Sequence, residues 1–364
     1  MEIGGLFNID KNDVRWFQVS GLGNAVGGST SGVQLAGLVN YNRKDLKGVQ
    51  IAGLYNQVVE RLVGVQIAGI NNTLRGEMIG WQIAGINNLT TENVDGAQLG
   101  GITNIAFGDV RALQIGGIYN HGKNVRGFQI SGIANYAQDE VGGFQLAGIA
   151  NVAKINNTGQ MAGITNIARD RVKGVQLAGI VNYAKTVNGS QIALINVADT
   201  VTGIPVGLLS IVKTGYHKFE LSNNDVFYGN ISFKIGVRRF YNIFTGGYNW
   251  HKNAPGFGLG LGTEGSIGRV GIFNVDATIT QIFEDVDLQA FNATTRLTPS
   301  FGVLIKQRVT LTAGPSICLH VSDLKDPDTG EFITDIAPYV IWEGVPSVNT
   351  KFQFWVGWSA ALRF

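Results

Sequence analysis

The chain has 364 residues, 51 of them Gly, with 15% charged, 45% hydrophobic and 10% aromatic residues and a formal net charge of +2. That balance, without any dense Lys/Arg block, gives no electrostatic basis for nucleic-acid binding, and the single Cys318 excludes an intrachain disulfide framework. Nowhere does an apolar run reach the roughly 18 residues that a membrane-spanning helix needs, which leaves strands as the only means of crossing a bilayer.

A tandem repeat occupies 1–212. Gln recurs at 18, 34, 50, 66, 82, 98 and 114, sixteen positions apart each time, and then at 129, 145, 160, 176 and 191 with spacings alternating between fifteen and sixteen. Asn follows each Gln by six positions from Asn24 to Asn182 and slips by one at Asn196, and the third position after Gln is Gly from Gly21 to Gly179, with Leu194 the exception. The consensus V-x-G-Φ-Q-[IL]-[AS]-G-[IL]-x-N, as in Val125 to Asn135 with Φ apolar, alternates with period two around Gln. Two Gly per coil would cost an interior helix about 1 kcal/mol each. The pattern therefore predicts a β-solenoid over 1–212, two short strands per coil, with a corner at the Ala-Gly pair where Gly gives the turn its backbone freedom.

Stacked coils place like residues about 4.8 Å apart, so the Gln and Asn columns are expected to form hydrogen-bonded amide ladders. Trp81, Phe128 and Phe144, in the apolar column before Gln, are expected in the core. Glu2, Gly5 and Asn8 fall in the Gln, Gly and Asn columns, so the sequence opens inside a coil, and with that one counted thirteen coils are recognisable. A cap upstream of them and no signal peptide within this chain are the corresponding expectations. At the far end Pro205 enters the Gln neighbourhood and cannot donate to a ladder, which marks a terminating coil.

From 213 to 364 the repeat gives way to longer alternating segments. Phe352 to Phe364 sets Phe352, Phe354, Val356, Trp358, Ala360, Leu362 and Phe364 against Gln353, Trp355, Gly357, Ser359, Ala361 and Arg363. Val309 to Val321, Phe227 to Val237 and Ala293 to Ile305 alternate likewise, and noisier segments lie at 216–222, 241–250, 257–265 and 270–284. They predict a small antiparallel barrel of eight strands. One apolar face opposite a small or polar one suits a transmembrane barrel, with Trp250, Trp355 and Trp358 as interfacial girdle residues. A soluble barrel or sandwich with its apolar face inward gives the same alternation and stays open. Gly258, Gly260 and Gly262, opposite Phe257, Leu259 and Leu261, point to a narrow lumen. Short turns near Arg238–Asn242 and Lys306–Arg308 and a long 323–350 loop would set the orientation. If 216–222 is a strand the solenoid points inward; otherwise it points outward.

Signatures of chemistry are missing. There is no G-x-S-x-G, H-E-x-x-H, P-loop, C-x-x-C or EF-hand loop. His121, His217, His251 and His320 are scattered and are expected at the surface, in turns or on the barrel wall, and Cys318 as a structural thiol on a strand. Asp139-Glu140, Asp170 and Asp199 lie in variable loops among Lys and Arg, as a solvated face would, and the 323–330 loop lacks calcium-ligand spacing. No catalytic, cofactor-binding or metal-binding residue is expected, and no enzymatic activity.

The G-V-Q-[IL]-A-G-[IL]-x-N coil resembles the surface-repeat-containing proteins of double-membraned bacteria over about 1–212. Gly215-Tyr216-His217, Val237 to Phe244 and the terminal strand are similar to the tail domain found with such repeats, and a terminal Phe364 resembles the C-terminal signature of outer-membrane barrels. The resemblance implies an envelope location and brings no established activity, and with the barrel the expected location is the outer membrane of a double-membraned bacterium. The function expected is a structural or interaction protein, with the barrel as anchor and the solenoid as a docking rod for other envelope proteins or an accessory subunit of an envelope complex. A glycan-binding, or less readily glycan-cleaving, solenoid is the alternative.

Overall fold

The computed structural model describes residues 2–284, 290–305, 309–326, 328–347 and 350–364. The chain is all-β and divides into two compact units, Met1–Ala198 and Asp199–Phe364.

Each coil of the first unit contributes one strand to each of two parallel sheets, as in Leu62–Ala68 followed by Asn71–Leu74. Like residues pair across coils, Gln66 with Gln50 and Gln82, and Asn72 with Asn56 and Asn88. Successive strands of one sheet therefore sit one coil apart in sequence, and the two sheets face each other across a thin interior.

That interior holds amides. The Gln column from Gln18 to Gln191 and the Asn column from Asn24 to Asn196 are buried throughout. Each Gln Nε2 donates to Oε1 of the Gln one coil earlier at 2.7–3.0 Å. Each Asn Nδ2 donates to Oδ1 of the Asn one coil later, as Asn40 does to Asn56 at 3.0 Å, and also to the carbonyl of the residue after the next coil's Gln, as Asn40 does to Ile51 at 2.7 Å. This second bond fixes which end of the Asn amide is the donor, because the carbonyl can only accept. Ala, Val and Leu such as Leu46, Val58, Leu62 and Val94 fill the remaining space.

Period two then forces the residues flanking Gln outward. Trp81 is 50% and Phe128 56% exposed, and Phe144 is half-buried. The expectation that these three are core is overturned: an interior filled by amides, Ala and Val has no room for an aromatic ring.

The glycines also act differently from expectation. The corner Gly has ordinary φ, but a Cβ on Gly37, Gly53, Gly69, Gly85, Gly101 or Gly117 would lie 2.0–2.2 Å from the carbonyl oxygen of the corner Gly one coil before. The corner needs Gly for close coil stacking. Conformational freedom is used two residues before Gln, where Gly32, Gly48, Gly64, Gly80 and Gly96 take φ of 135–144°. Trp16 occupies that place in the first coil at φ 79°, a conformation costing a non-Gly residue roughly 1–3 kcal/mol.

The second unit is a closed antiparallel barrel. Its eight strands are Tyr216–Asn224, Gly229–Val237, Phe240–Asn249, Ala254–Ile267, Gly271–Ile282, Asn292–Ile305, Val309–Ser322 and Thr350–Arg363. They pair in order, and the last closes on the first through Glu220 opposite Arg363 and Asn224 opposite Ser359. A short strand, Trp342–Ser347, covers the rest of that edge of the last strand. Strand Leu209–Val212 lies against the outside of the second and third strands, where Asn242 Oδ1 accepts from the Ser210 amide at 2.9 Å. The turn expected at Lys306–Arg308 lies outside the described residues.

Gln50→Leu tests the ladder. It removes the donor to Gln34 Oε1 and the acceptor of Gln66 Nε2. With two buried groups unpaired at about 1–3 kcal/mol each, hydrogen exchange of coils adjoining residue 50 should accelerate well beyond that of an outward Val49→Leu control.

Candidate functional site: the barrel wall and its lumen

Each barrel strand sends alternate residues to the lumen and to the outside. Thr310, Thr312, Ser316, Cys318 and His320 of the seventh strand are buried, while Leu311, Ile317 and Leu319 are exposed. In the sixth, Thr298 and Ser300 are inside, and Leu297, Phe301 and Val303 outside. In the eighth, Gln353, Trp355 and Arg363 are inside, and Val356 and Trp358 outside. The barrel is therefore apolar without and polar within, except for a buried apolar cluster that includes Phe227, Ile282, Ile336 and Trp355.

Trp355 departs from the girdle expectation. It is fully buried, and its indole Nε1 donates to Asp225 Oδ2 at 2.5 Å. Trp250 and Trp358 are exposed, with Trp250 beside Tyr228 and Tyr248 at one end of the wall.

Two clusters fill the lumen. At the short-turn end, Lys234 Nζ sits 2.7 Å from both Glu220 and Asp276, and Arg363 sits 2.6 Å from Glu220 and 2.7 Å from Glu264. Tyr216 and Tyr241 stack at 4.8 Å and donate to Glu264 and Asp276. Arg238, 3.7 Å from Glu264, brings the cluster to three cations and three carboxylates. Buried Lys234 and Arg363, hydrogen-bonded to Glu220, Glu264 and Asp276, meet the condition under which buried charge is tolerated, while Arg238 reaches Glu264 from the surface. Inward glycines make the room: a Cβ on Gly262 would lie 2.2 Å from the Tyr241 ring and 2.4 Å from Asp276 Oδ1.

At the other end Asp225, in the turn after the first strand, accepts from Arg296 at 2.6 Å, from Trp355 and from the Trp358 amide at 3.1 Å. Burial works against its charge, but the Arg296 guanidinium together with the Trp355 and Trp358 hydrogen bonds outweighs burial and holds the carboxyl below its ordinary range. Between the clusters lie Ser and Thr hydroxyls around a cavity of about 70 Å³. It has room for about two waters at ~30 Å³ each.

The other titratable groups are dispersed. His320 lies inside the barrel between Thr294 and Thr334, His217 contacts the Val212 carbonyl, His251 is exposed in a turn, and His121 is on the solenoid surface, stacked on Tyr136 at 5.3 Å. Cys318 is a buried free thiol on the seventh strand. Asp139-Glu140 and Asp170 stay on the loop edge two coils apart, and Asp326 closes its own turn through the Asp328 and Thr329 amides. Among the described residues no group of three His, Cys, Asp or Glu is placed to hold a metal ion, and no helix is long and apolar enough to cross a membrane.

The lumen clusters escaped sequence reasoning. Glu220, Lys234, Glu264, Asp276 and Arg363 are isolated charges in the sequence, and only the strand register joins them. The available signal was one charge on the polar face of successive strands at the same end of the wall.

In the first coil, Gln18 Nε2 donates to Glu2 and Asp10, and a hydrogen bond to Glu2, with burial and the Glu2 charge, pushes Asp10 up to about 6.

Comparison with known proteins gives no match to any family model, to any curated protein or to any solved structure.

Two outcomes follow. Lys234→Met leaves Glu220 and Asp276 sharing Arg363 and should cost about 3–5 kcal/mol, read as a lower unfolding temperature of the barrel, whereas exposed Lys213→Met should not. A folded-state pKa above the unfolded one means that Asp10 favours folding when protonated, and that this contribution is lost as pH rises from about 4 through 6. Amides of the first coil should thus exchange faster relative to mid-solenoid amides at pH 7 than at pH 5, and Asp10→Asn should abolish the difference.

Proposed function

We propose that the chain is a non-enzymatic outer-membrane protein, its barrel the anchor and its solenoid a docking rod for other components of the envelope. The observation that carries this reading is the inverted barrel wall. Phe219, Leu221, Ile231, Phe257, Leu259 and Phe301 are among the apolar side chains exposed on its outside, while charged and hydroxyl groups are inside. Water disfavours this arrangement by about 25 cal/mol for each Å² of apolar surface left exposed, whereas a hydrocarbon phase solvates that surface. Strands of 9–14 residues match the span of membrane barrels.

Strand parity supports an orientation. With Tyr216–Asn224 counted, the barrel has an even number of strands, so its two chain ends share one side. That side has the short connections 238–239 and 268–270, and the opposite side the turns 225–228 and 250–253 and the excursion after Ser322 that carries the strand Trp342–Ser347. Short turns are periplasmic in such barrels, which supports a solenoid attached on the periplasmic side. Protein partners suit the sheet face bearing Tyr41, Tyr119, Tyr136 and Tyr183 outward, since Tyr is enriched in interfaces. The glycan-binding alternative draws on the same face, where Phe107, His121 and Tyr136 form a surface aromatic row.

Membrane fractionation of the full chain with carbonate washing and a heat-modifiability gel tests the assignment. Retention in the outer membrane with a heat-shifted band is expected. Release as a soluble monomer overturns it and brings the glycan-binding reading to the front.

A further inference from the structure

We propose that the long apolar edge of the solenoid is a lipid-contact surface that takes an anionic phospholipid leaflet. This rests on the membrane reading of the barrel.

Three outward columns make the edge: the residue before Gln, the residue after it, and the Leu/Ile that follows the corner. The corner column alone runs from Leu38 through Ile102 to Leu194, every member 38–54% exposed. Beside it stand Leu35, Ile51, Ile67, Ile83 and their successors, and beyond them Val49, Val65, Trp81 and Phe128. At ~4.8 Å per coil and about 3.4 Å per residue the strip is roughly 55 Å by 12 Å, about 650 Å². That exceeds the largest apolar patch of a typical soluble monomer, about 300–600 Å².

Four features select lipid over a protein partner. The strip wraps a convex corner, which a fluid phase covers without a complementary groove. Its rungs are near-identical, so a protein docked on it could slip by a coil at little cost, whereas a lipid surface needs no register. Its border on the loop side is basic, with exposed Arg15, Lys47, Arg111, Arg126 and Lys173 against Asp95, which is itself paired with Arg111 at 3.4 Å. That border complements anionic headgroups, and apolar area beside basic charge is the combination that binds membrane interfaces. Finally, Val206 and Leu208, which continue two of these columns in sequence, line an open apolar crevice of about 590 Å³ with Phe240, Phe244 and Leu259 of the barrel's outer wall.

The test uses the full chain reconstituted in phosphatidylethanolamine/phosphatidylglycerol vesicles. Single cysteines at the corner (Ile102→Cys, Ile133→Cys, Ile164→Cys) and on the loop edge (Lys44→Cys, Lys123→Cys) are labelled with a fluorophore, buried Cys318 remaining unlabelled. Nitroxide lipids are then added as quenchers. Corner labels should be quenched several-fold more than loop labels, and the difference should shrink in high salt. Equal quenching at both edges, with the heat-shifted barrel band intact, overturns the lipid contact alone. Bismaleimide cross-linking of corner cysteines between copies, without quenching, also overturns it and assigns the edge to a second copy. Loss of the heat shift in the unsubstituted chain instead removes the membrane reading beneath it.

Discussion

A buried amide that must bond to its own copies in the neighbouring coils constrains everything else in the solenoid. A primary amide offers two donors and an acceptor, and leaving one unpaired in the interior costs about 1–3 kcal/mol. Gln at the centre of a coil is therefore tolerable only if the coils before and after place another Gln within reach. That condition demands a near-constant coil length, a spacing of one strand separation and a corner small enough for coils to stack. The recurring corner contact expresses the same demand on the backbone: Gly stands where any Cβ would strike the carbonyl of the coil before.

The two ladders run in opposite senses. Gln donors point toward the first coil and Asn donors toward the last, as in Gln66 to Gln50 and Asn56 to Asn72. Aligned amide dipoles sum along a column as peptide dipoles do in a helix, so two antiparallel columns cancel much of the field that either would build alone. The donor end of the Gln column meets the carboxylates of Glu2 and Asp10, the groups that suit a partial positive charge. Polarity at the centre also sets the exterior. With Gln and Asn facing in, period two leaves Val, Ile and Leu facing out. The barrel reaches the same inversion by other means, pairing buried Lys234 and Arg363 with three carboxylates in its lumen and displaying aliphatic and aromatic side chains on its wall.

The architecture is legible in the sequence because both units are written in strong periodicities. A near-constant recurrence over twelve Gln leaves few alternatives to stacked coils, and unbroken alternation from Phe352 to Phe364 leaves few to a strand. Which side faces in is not legible, because an alternation of period two is symmetric to exchanging its faces. Hydrophobicity alone assigns Trp81 to the core, yet the thin amide interior cannot hold it. Residue type alone sets Trp355 at an interface, yet its indole N–H answers Asp225, 130 residues away. The lumen ion cluster draws its members from several strands, and their proximity exists only in the register.

An amide core changes what a solenoid edge can do. A rod whose interior is apolar can carry a polar surface everywhere, and any patch on it is a local decision of the loops. Here the interior fixes the parity of every strand, so an apolar column at the surface is repeated in each coil whether or not a given coil binds anything. Substitutions that keep the ladder can still vary the outward residue, as Ala97, Trp81, Phe128 and Gly159 in one column demonstrate. The lengthwise apolar character persists through that variation because it is summed over many rungs. A surface built this way has little address along its length and a strong preference across its width. That suits a partner which is extended and laterally uniform, and it places any specific recognition on the other sheet face or in the loops, where the columns are heterogeneous.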